Sequence, residues 1–229
     1  MDSYILGLIE RLSGCITENR LALFKQILSN RTRYITILLE DIFQSQNASA
    51  VLRTCDCAGL QDVHIVEDLN KYEINPDVAL GSDKWLTLNY YSHGQAGLSE
   101  AVKTLRYSGY RIVATSPHAG GTSPDTFDID KGKAALMFGT ELNGLSERAL
   151  EFADVHIQIP MKGFTESYNI SASAAIILYR LRERLEASPV NWRIGEKEQT
   201  EILLDWLRTS VKMSEQIESQ FQKDYNPIF

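Results

Sequence analysis

Ile159-Pro160-Met161-Lys162-Gly163-Phe164-Thr165-Glu166-Ser167-Tyr168-Asn169-Ile170-Ser171-Ala172-Ser173-Ala174 is the stretch that decides how this chain reads. It starts on the last residue of an alternating stretch of strand length, Val155 to Ile159. Pro160 and Gly163 then break any regular element. Ser167 and Asn169 stand before a long helical pattern that runs to about Ala187, where short polar side chains serve as caps and Pro189 is the stop. The stretch is a strand, a loop and a helix start. In open parallel sheets, ligands sit at such junctions, beyond the carboxyl ends of the strands.

Working outward, the same alternation repeats. Strands are expected at Tyr34–Leu39, Val63–Val66, Thr87–Tyr91, Tyr110–Thr115 and Ala134–Phe138, and helices at Asn47–Ala58, Leu98–Tyr107 and Ser146–Phe152. Glu67 to Trp85 shows no clear period. Alternating strands and helices from 34 to 187 imply an α/β fold, a largely parallel sheet covered on both faces. The apolar periodicity of residues 3 to 30, broken at Ser13-Gly14, and of Glu196 to Gln222 predicts helical additions outside that core. The expected organisation is thus a helical arm at 1–32, a core at 33–187 and a helical extension at 188–229. Three loops occupy the ligand-binding end: Ser116–Asp125, Gly139–Gly144 and Pro160–Tyr168.

Composition excludes several classes. The chain has 229 residues, 44% of them hydrophobic, enough for a packed core. No apolar run reaches the ~20 residues that span a bilayer, and the first residues lack the pattern of a signal peptide. Three cysteines, Cys15, Cys55 and Cys57, point to a reducing, cytoplasmic setting rather than a disulfide framework. His64, His93, His118 and His156 have no metal-ligand spacing. No G-x-G-x-x-G follows the first strand and no phosphate-binding G-x-x-x-x-G-K-[ST] occurs. The net charge of −7 argues against a nucleic-acid partner. However, Arg11, Arg20, Lys25, Arg31 and Arg33 oppose only Glu18 between residues 11 and 33, and Arg180, Arg182 and Arg184 form a second basic group. A local stripe of that kind can hold phosphates, with strong salt dependence.

Two further segments join the opening one. They are Asn47-Ala-Ser-Ala-Val-Leu-Arg53-Thr-Cys-Asp-Cys-Ala-Gly59 and Ala135-Leu-Met-Phe-Gly139-Thr-Glu141-Leu-Asn-Gly144-Leu145-Ser146. Together, in this order and at these loop positions, the three resemble the motifs of the SpoU family of RNA 2′-O-ribose methyltransferases. The resemblance implies an α/β knot, in which the end of a parallel sheet threads through a loop. Periodicity would never predict this, because knots are very rare. It also implies S-adenosylmethionine as methyl donor, a homodimer, and no metal.

The resemblance assigns roles residue by residue. Arg53 becomes the catalytic arginine, contacting a substrate phosphate and assisting deprotonation of the 2′-hydroxyl; its generic alternative is a surface side chain covering apolar area. A guanidinium is too weakly acidic to act as an unaided base, so electrostatic stabilisation of the forming alkoxide is the easier chemistry. Asn47, otherwise an N-cap, helps hold Arg53, and the charge of Glu141 orients it. Ser167 and Asn169 lie beside substrate and donor. Thr115, Gly139, Ile159, Met161 and Tyr168 match positions that contact S-adenosylmethionine; Tyr168 replaces the family's usual Leu. Arg20, Lys25, Arg31 and Arg33 are the expected RNA contacts. The short helical arm and C-terminal helix resemble the group that methylates guanosine 18 of tRNA; the acidic net charge leaves ribosomal RNA or another tRNA nucleotide open. A non-catalytic RNA-binding protein on the same fold is the competing expectation, and donor binding separates the two.

Overall fold

The computed structural model describes residues 3–92, 95–117 and 120–225. His93, His118 and part of the loop expected at Ser116–Asp125 lie outside the described residues. The chain forms two compact units, Met1–Arg31 with Arg193–Phe229, and Thr32–Trp192.

The smaller unit holds α1 (Ser3–Ser13), α2 (Glu18–Leu28), α8 (Glu196–Ser210) and α9 (Ser214–Asp224). Leu8, Leu12, Phe24 and Leu28 supply its buried side together with Trp206 and Leu207. The Phe24 and Trp206 rings meet edge to face at 5.5 Å. The single helix expected from Glu196 to Gln222 is two helices. Met213 adopts a left-handed backbone (φ 61°) between them, and the Ser214 hydroxyl donates to the Arg208 carbonyl across the break.

The larger unit is a six-stranded sheet in the order β3-β2-β1-β5-β4-β6. Its strands are β1 (Ile35–Glu40), β2 (Asp62–Val66), β3 (Thr87–Tyr91), β4 (Arg111–Thr115), β5 (Ala134–Phe138) and β6 (Val155–Ile157), and every pairing is parallel. Alternate residues of each strand serve opposite faces. Ile35, Ile37 and Leu39 of β1 and Leu136 and Phe138 of β5 pack with α3 (Ser45–Cys57) and α7 (Ile170–Ala187). Leu38, Ala135 and Met137 pack on the other face with α5 (Gln95–Tyr107) and α6 (Glu147–Glu151). Burial on both faces explains why these strands read as continuous apolar runs rather than as alternating ones.

Two departures from the sequence reading bear on the ligand-binding end. The strand expected to reach Ile159 stops at Ile157, because the chain turns there. Gln158 donates its backbone N–H to the Thr122 carbonyl and its side-chain amide to the Pro117 carbonyl. The irregular stretch after β2 contains a short helix, α4 (Pro76–Ala79), capped by the Asn75 side chain with Pro76 in its first turn, where a missing N–H costs nothing. The free cysteines also sort as helical spacing requires: in α3, Cys55 is buried and Cys57 exposed.

Candidate active site

Asn47 is where three separate segments meet. It was expected to cap its helix, but α3 starts two residues earlier and is capped by Gln44, whose carbonyl accepts from the Asn47 and Ala48 backbone N–H groups. This places Asn47 inside the first turn, nine-tenths buried, and releases its side chain for other work. Its amide nitrogen donates to Glu141 Oε1 at 2.6 Å and to Gln44 Oε1 at 3.0 Å. Its Oδ1 accepts from Asn169 Nδ2 at 3.0 Å. Asn169 Oδ1 in turn accepts from the backbone N–H and hydroxyl of Ser171, capping α7. A carboxylate is acceptor-only, so Glu141 dictates which way both amides face. The line Glu141–Asn47–Asn169–Ser171 therefore has one polarity, running from an anion to a helix N-terminus.

Glu141 is positioned by a tight hairpin after β5. Thr140 and Gly144 exchange both backbone hydrogen bonds at 2.9 Å. Gly139 makes this possible: a Cβ there would collide with the backbone of Gly144 and Leu145. Gly144 itself has φ +67°, a region that costs a β-carbon-bearing residue free energy. Beneath the hairpin lies a cavity of about 330 Å³ at the carboxyl ends of β4, β5 and β6. All three loops named from the sequence contribute to its wall, through Ser116 and Pro117, Gly139 to Gly144, and Met161, Ser167 and Tyr168.

Thr115, Gly139, Ile159, Met161 and Tyr168, the five residues matched to donor contacts, all line this cavity. The Thr115 hydroxyl donates to the Met137 carbonyl and so helps hold β4 against β5 rather than facing outward. The wall includes Phe138, Leu145, Ile157, Ile170 and Ile177, which the sequence reading did not single out. Their signal was present as burial periodicity but carried nothing that separates a pocket from a core. The size is within the range of small-molecule sites, and the wall mixes these apolar side chains with the polar groups of Thr115, Ser116, Thr140, Glu141, Asn143 and Ser167.

Ser167 lines the cavity and is exposed, outside the amide line. Arg53 stands apart. It lies on the exposed face of α3 with Gln46 and Cys57, and among the described residues it forms no hydrogen bond or ion pair. Among the described residues Glu141 forms no ion pair with Arg53; its Oε1 accepts from Asn47. Of the four RNA-contact candidates, Arg20 and Lys25 are exposed on α2. Arg31 is 1% exposed, with its guanidinium 5.3 Å over the Trp206 ring. Arg33 is paired with Asp62 at 2.9 Å. The second basic group is likewise engaged. Arg180 binds Asp125 and Glu183, Arg182 binds Glu186 over Trp192, and Arg184 donates to the Pro124 carbonyl. Among the described residues no three His, Cys, Asp or Glu side chains are grouped to hold a metal, and no helix is long and apolar enough to cross a membrane.

Comparison with known proteins adds four findings. The model of the SpoU rRNA Methylase family matches residues 34–179. A tRNA (guanosine(18)-2'-O)-methyltransferase of Borreliella burgdorferi is 44% identical over 219 residues, 96% of this chain and 98% of that one. The crystal structure of the Aquifex aeolicus TrmH/SpoU tRNA modifying enzyme superposes with a TM-score of 0.74 at 28% identity, over 85% of this chain and 98% of that one. The fold is also that of AviRb from Streptomyces viridochromogenes, solved in complex with the cofactor AdoMet. That likeness has a TM-score of 0.58 at 20% identity and covers 71% of this chain and 62% of the other.

Proposed function

The chain belongs to the SpoU rRNA Methylase family, and from that premise we propose that its substrate is transfer RNA, methylated on the ribose 2′-hydroxyl of guanosine 18. It is an S-adenosylmethionine-dependent RNA 2′-O-methyltransferase. The observation that carries the reading is the convergence of three distant motifs on one hydrogen-bonded line, Glu141–Asn47–Asn169, beside the cavity of the last three strands. The relative from Borreliella, matched over nearly the whole of both chains, supports guanosine 18 of tRNA as the target.

Bound S-adenosylmethionine supplies a methyl group made electrophilic by its positively charged sulfur. The remaining tasks are positioning the acceptor oxygen and stabilising charge on it. Asn169 has a second amide N–H beyond the one given to Asn47, and Ser167 a hydroxyl; both are available to the acceptor ribose. Glu141 fixes the amides and keeps Asn169 pointing one way. Arg53, held by no carboxylate, is free to take the substrate phosphate and to stabilise the developing alkoxide. Arg20 and Lys25 supply outer phosphate contacts, whereas Arg31 and Arg33 reach RNA only by giving up the contacts they have. Phosphate contacts of this kind position the RNA without reading its sequence.

Two further elements belong to the proposal. The first is the knot. Ile157 of β6 is flanked on one side by Ser116, which donates to its carbonyl, and bridged on the other to Thr122. Two residues that lie between β4 and β5 in the sequence thus flank β6 on opposite sides, which supports threading of the chain there. The second is a homodimer, supported by the exposed Tyr179 of α7. Sedimentation at micromolar concentration tests it.

The enzymatic reading is tested by incubating the protein with tRNA, ribosomal RNA and labelled donor, then mapping the modified ribose by mass spectrometry. Label at guanosine 18 of tRNA is expected. Label confined to ribosomal RNA would move the substrate, and donor binding with no label in any RNA would make the chain a binding protein.

A further inference from the structure

Among the side chains of the loop Pro160–Tyr168 that neither line the donor cavity nor join the amide line, Phe164 is the one aromatic ring. Phe164 is fully exposed, and so is Leu142 (94%) at the tip of the hairpin on the cavity's other wall. Single exposed apolar residues are ordinary. These two are set apart by position. Phe164 lies between Met161 and Ser167, both in the cavity wall, and five residues before Asn169 of the amide line. Its loop is otherwise exposed except at Met161, so nothing within the described chain covers the ring.

We propose that Phe164 is a platform on which the unstacked base of the acceptor nucleotide lies. The inference rests on the reading that RNA is the substrate. To present its 2′-hydroxyl to a methyl group held in the cavity, the acceptor ribose must approach the loops at the strand ends. A base stacked within a folded RNA blocks that approach, so the nucleotide must leave its stack, which costs free energy. An exposed aromatic ring beside the ribose site returns part of it. Any base has a π-face, so such a platform contributes affinity and position without choosing the base. Phe164 is in this sense a positioning residue, touching the substrate away from the reacting atoms.

The test uses the full chain, tRNA, and the same tRNA with an abasic ribose at the acceptor position. For intact tRNA, Phe164→Ala is expected to raise KM and lower kcat/KM about tenfold, with affinity for S-adenosylmethionine unchanged. Phe164→Trp is expected to restore most of the loss, and Phe164→Leu little of it. On abasic RNA, wild type and Phe164→Ala should be indistinguishable, because the base that would stack is gone. Three results overturn the proposal. One is an equal loss on intact and abasic RNA. Another is full rescue by Phe164→Leu together with a shift of the Ala variant toward monomer, which makes the ring a contact between copies of the chain. The third is unchanged kinetics. Failure of the RNA reading itself has a different signature, since wild type would then methylate neither RNA.

Discussion

Asn47 and Arg53 lie six residues apart on one helix and are held in opposite ways. Asn47 is nine-tenths buried and bonded to Gln44, Glu141 and Asn169. Arg53 is exposed, with no partner among the described residues. Six residues turn an α-helix by about 240°, so the two cannot share a face. One helix thus serves as both a fixed wall and a free arm. Groups that must keep one geometry are locked by packing, whereas a group that meets a substrate phosphate is left solvated until the phosphate arrives.

This contrast separates activity from stability. Arg53→Ala is expected to lower kcat about 1000-fold, the scale of losing one strong electrostatic donor. An exposed side chain without partners contributes little to folding, so the midpoint of denaturation should move by less than ~0.5 kcal/mol. Steady-state methylation and urea melts on the same preparation check both halves. An active Arg53→Ala protein would remove the arm from the mechanism.

The wall breaks differently. Gly139→Ala puts a methyl group into the backbone of Gly144 and Leu145, which cannot swing aside as a side chain would. A loss of about 3 kcal/mol is expected, the upper range for overpacking, with weakened donor binding by calorimetry. Gly163 provides the control, since a Cβ there meets nothing within 4 Å. Gly163→Ala should therefore melt like wild type. Asn47→Ala comes next. It strips Glu141 and Asn169 of a partner in a half-buried site, at about 2 kcal/mol. It should lower kcat as well, so that one substitution costs both activity and stability where Arg53→Ala costs only activity.

How far the sequence disclosed this division depends on what each residue needs. The core of the sheet was legible because burial on both faces writes apolar runs, and Ala134–Phe138 matches the observed strand residue for residue; the half-exposed edge strand Thr87–Tyr91 matches too, on its aromatic residues rather than on burial. The five residues matched by motif to donor contacts line one cavity, and motif spacing alone had brought them together. Asn47 was misplaced as a cap because an Asn before an apolar period has that reading by default; the helix begins earlier, at Ser45, and the Asn47 side chain turns instead to Glu141, 94 residues away. Charge misled for the same reason. Arg180, Arg182 and Arg184 look like a basic surface in one dimension, and the acids and ring that engage them lie within the same helix or in other segments of the fold. The Arg180–Asp125 pair and the direction of the Asn47 amide are set by tertiary neighbours, which no local window contains.

His64 sharpens the comparison by separating burial from function. Like Asn47 it is buried and hydrogen-bonded, with Nδ1 3.0 Å from the Tyr91 hydroxyl. Unlike Asn47 it lies within β2 and away from the cavity. Burial lowers its pKa from 6.5 to about 4, because the charged ring would lose its water. Above pH 6.5 both folded and unfolded states hold the neutral ring. As pH falls from 6.5 toward 4, the unfolded chain takes up a proton that the folded chain refuses, and stability falls with it. Between pH 7 and pH 5 this contributes a loss of about 1–2 kcal/mol. His64→Gln should lower stability at pH 7 but flatten that dependence, read as the difference between urea midpoints at the two pH values. It should leave kcat at pH 7 unchanged. If His64→Gln instead cost as much activity as Asn47→Ala, burial of a polar group in the sheet would itself be enough to disturb the site, and the separate standing of the amide line would be lost.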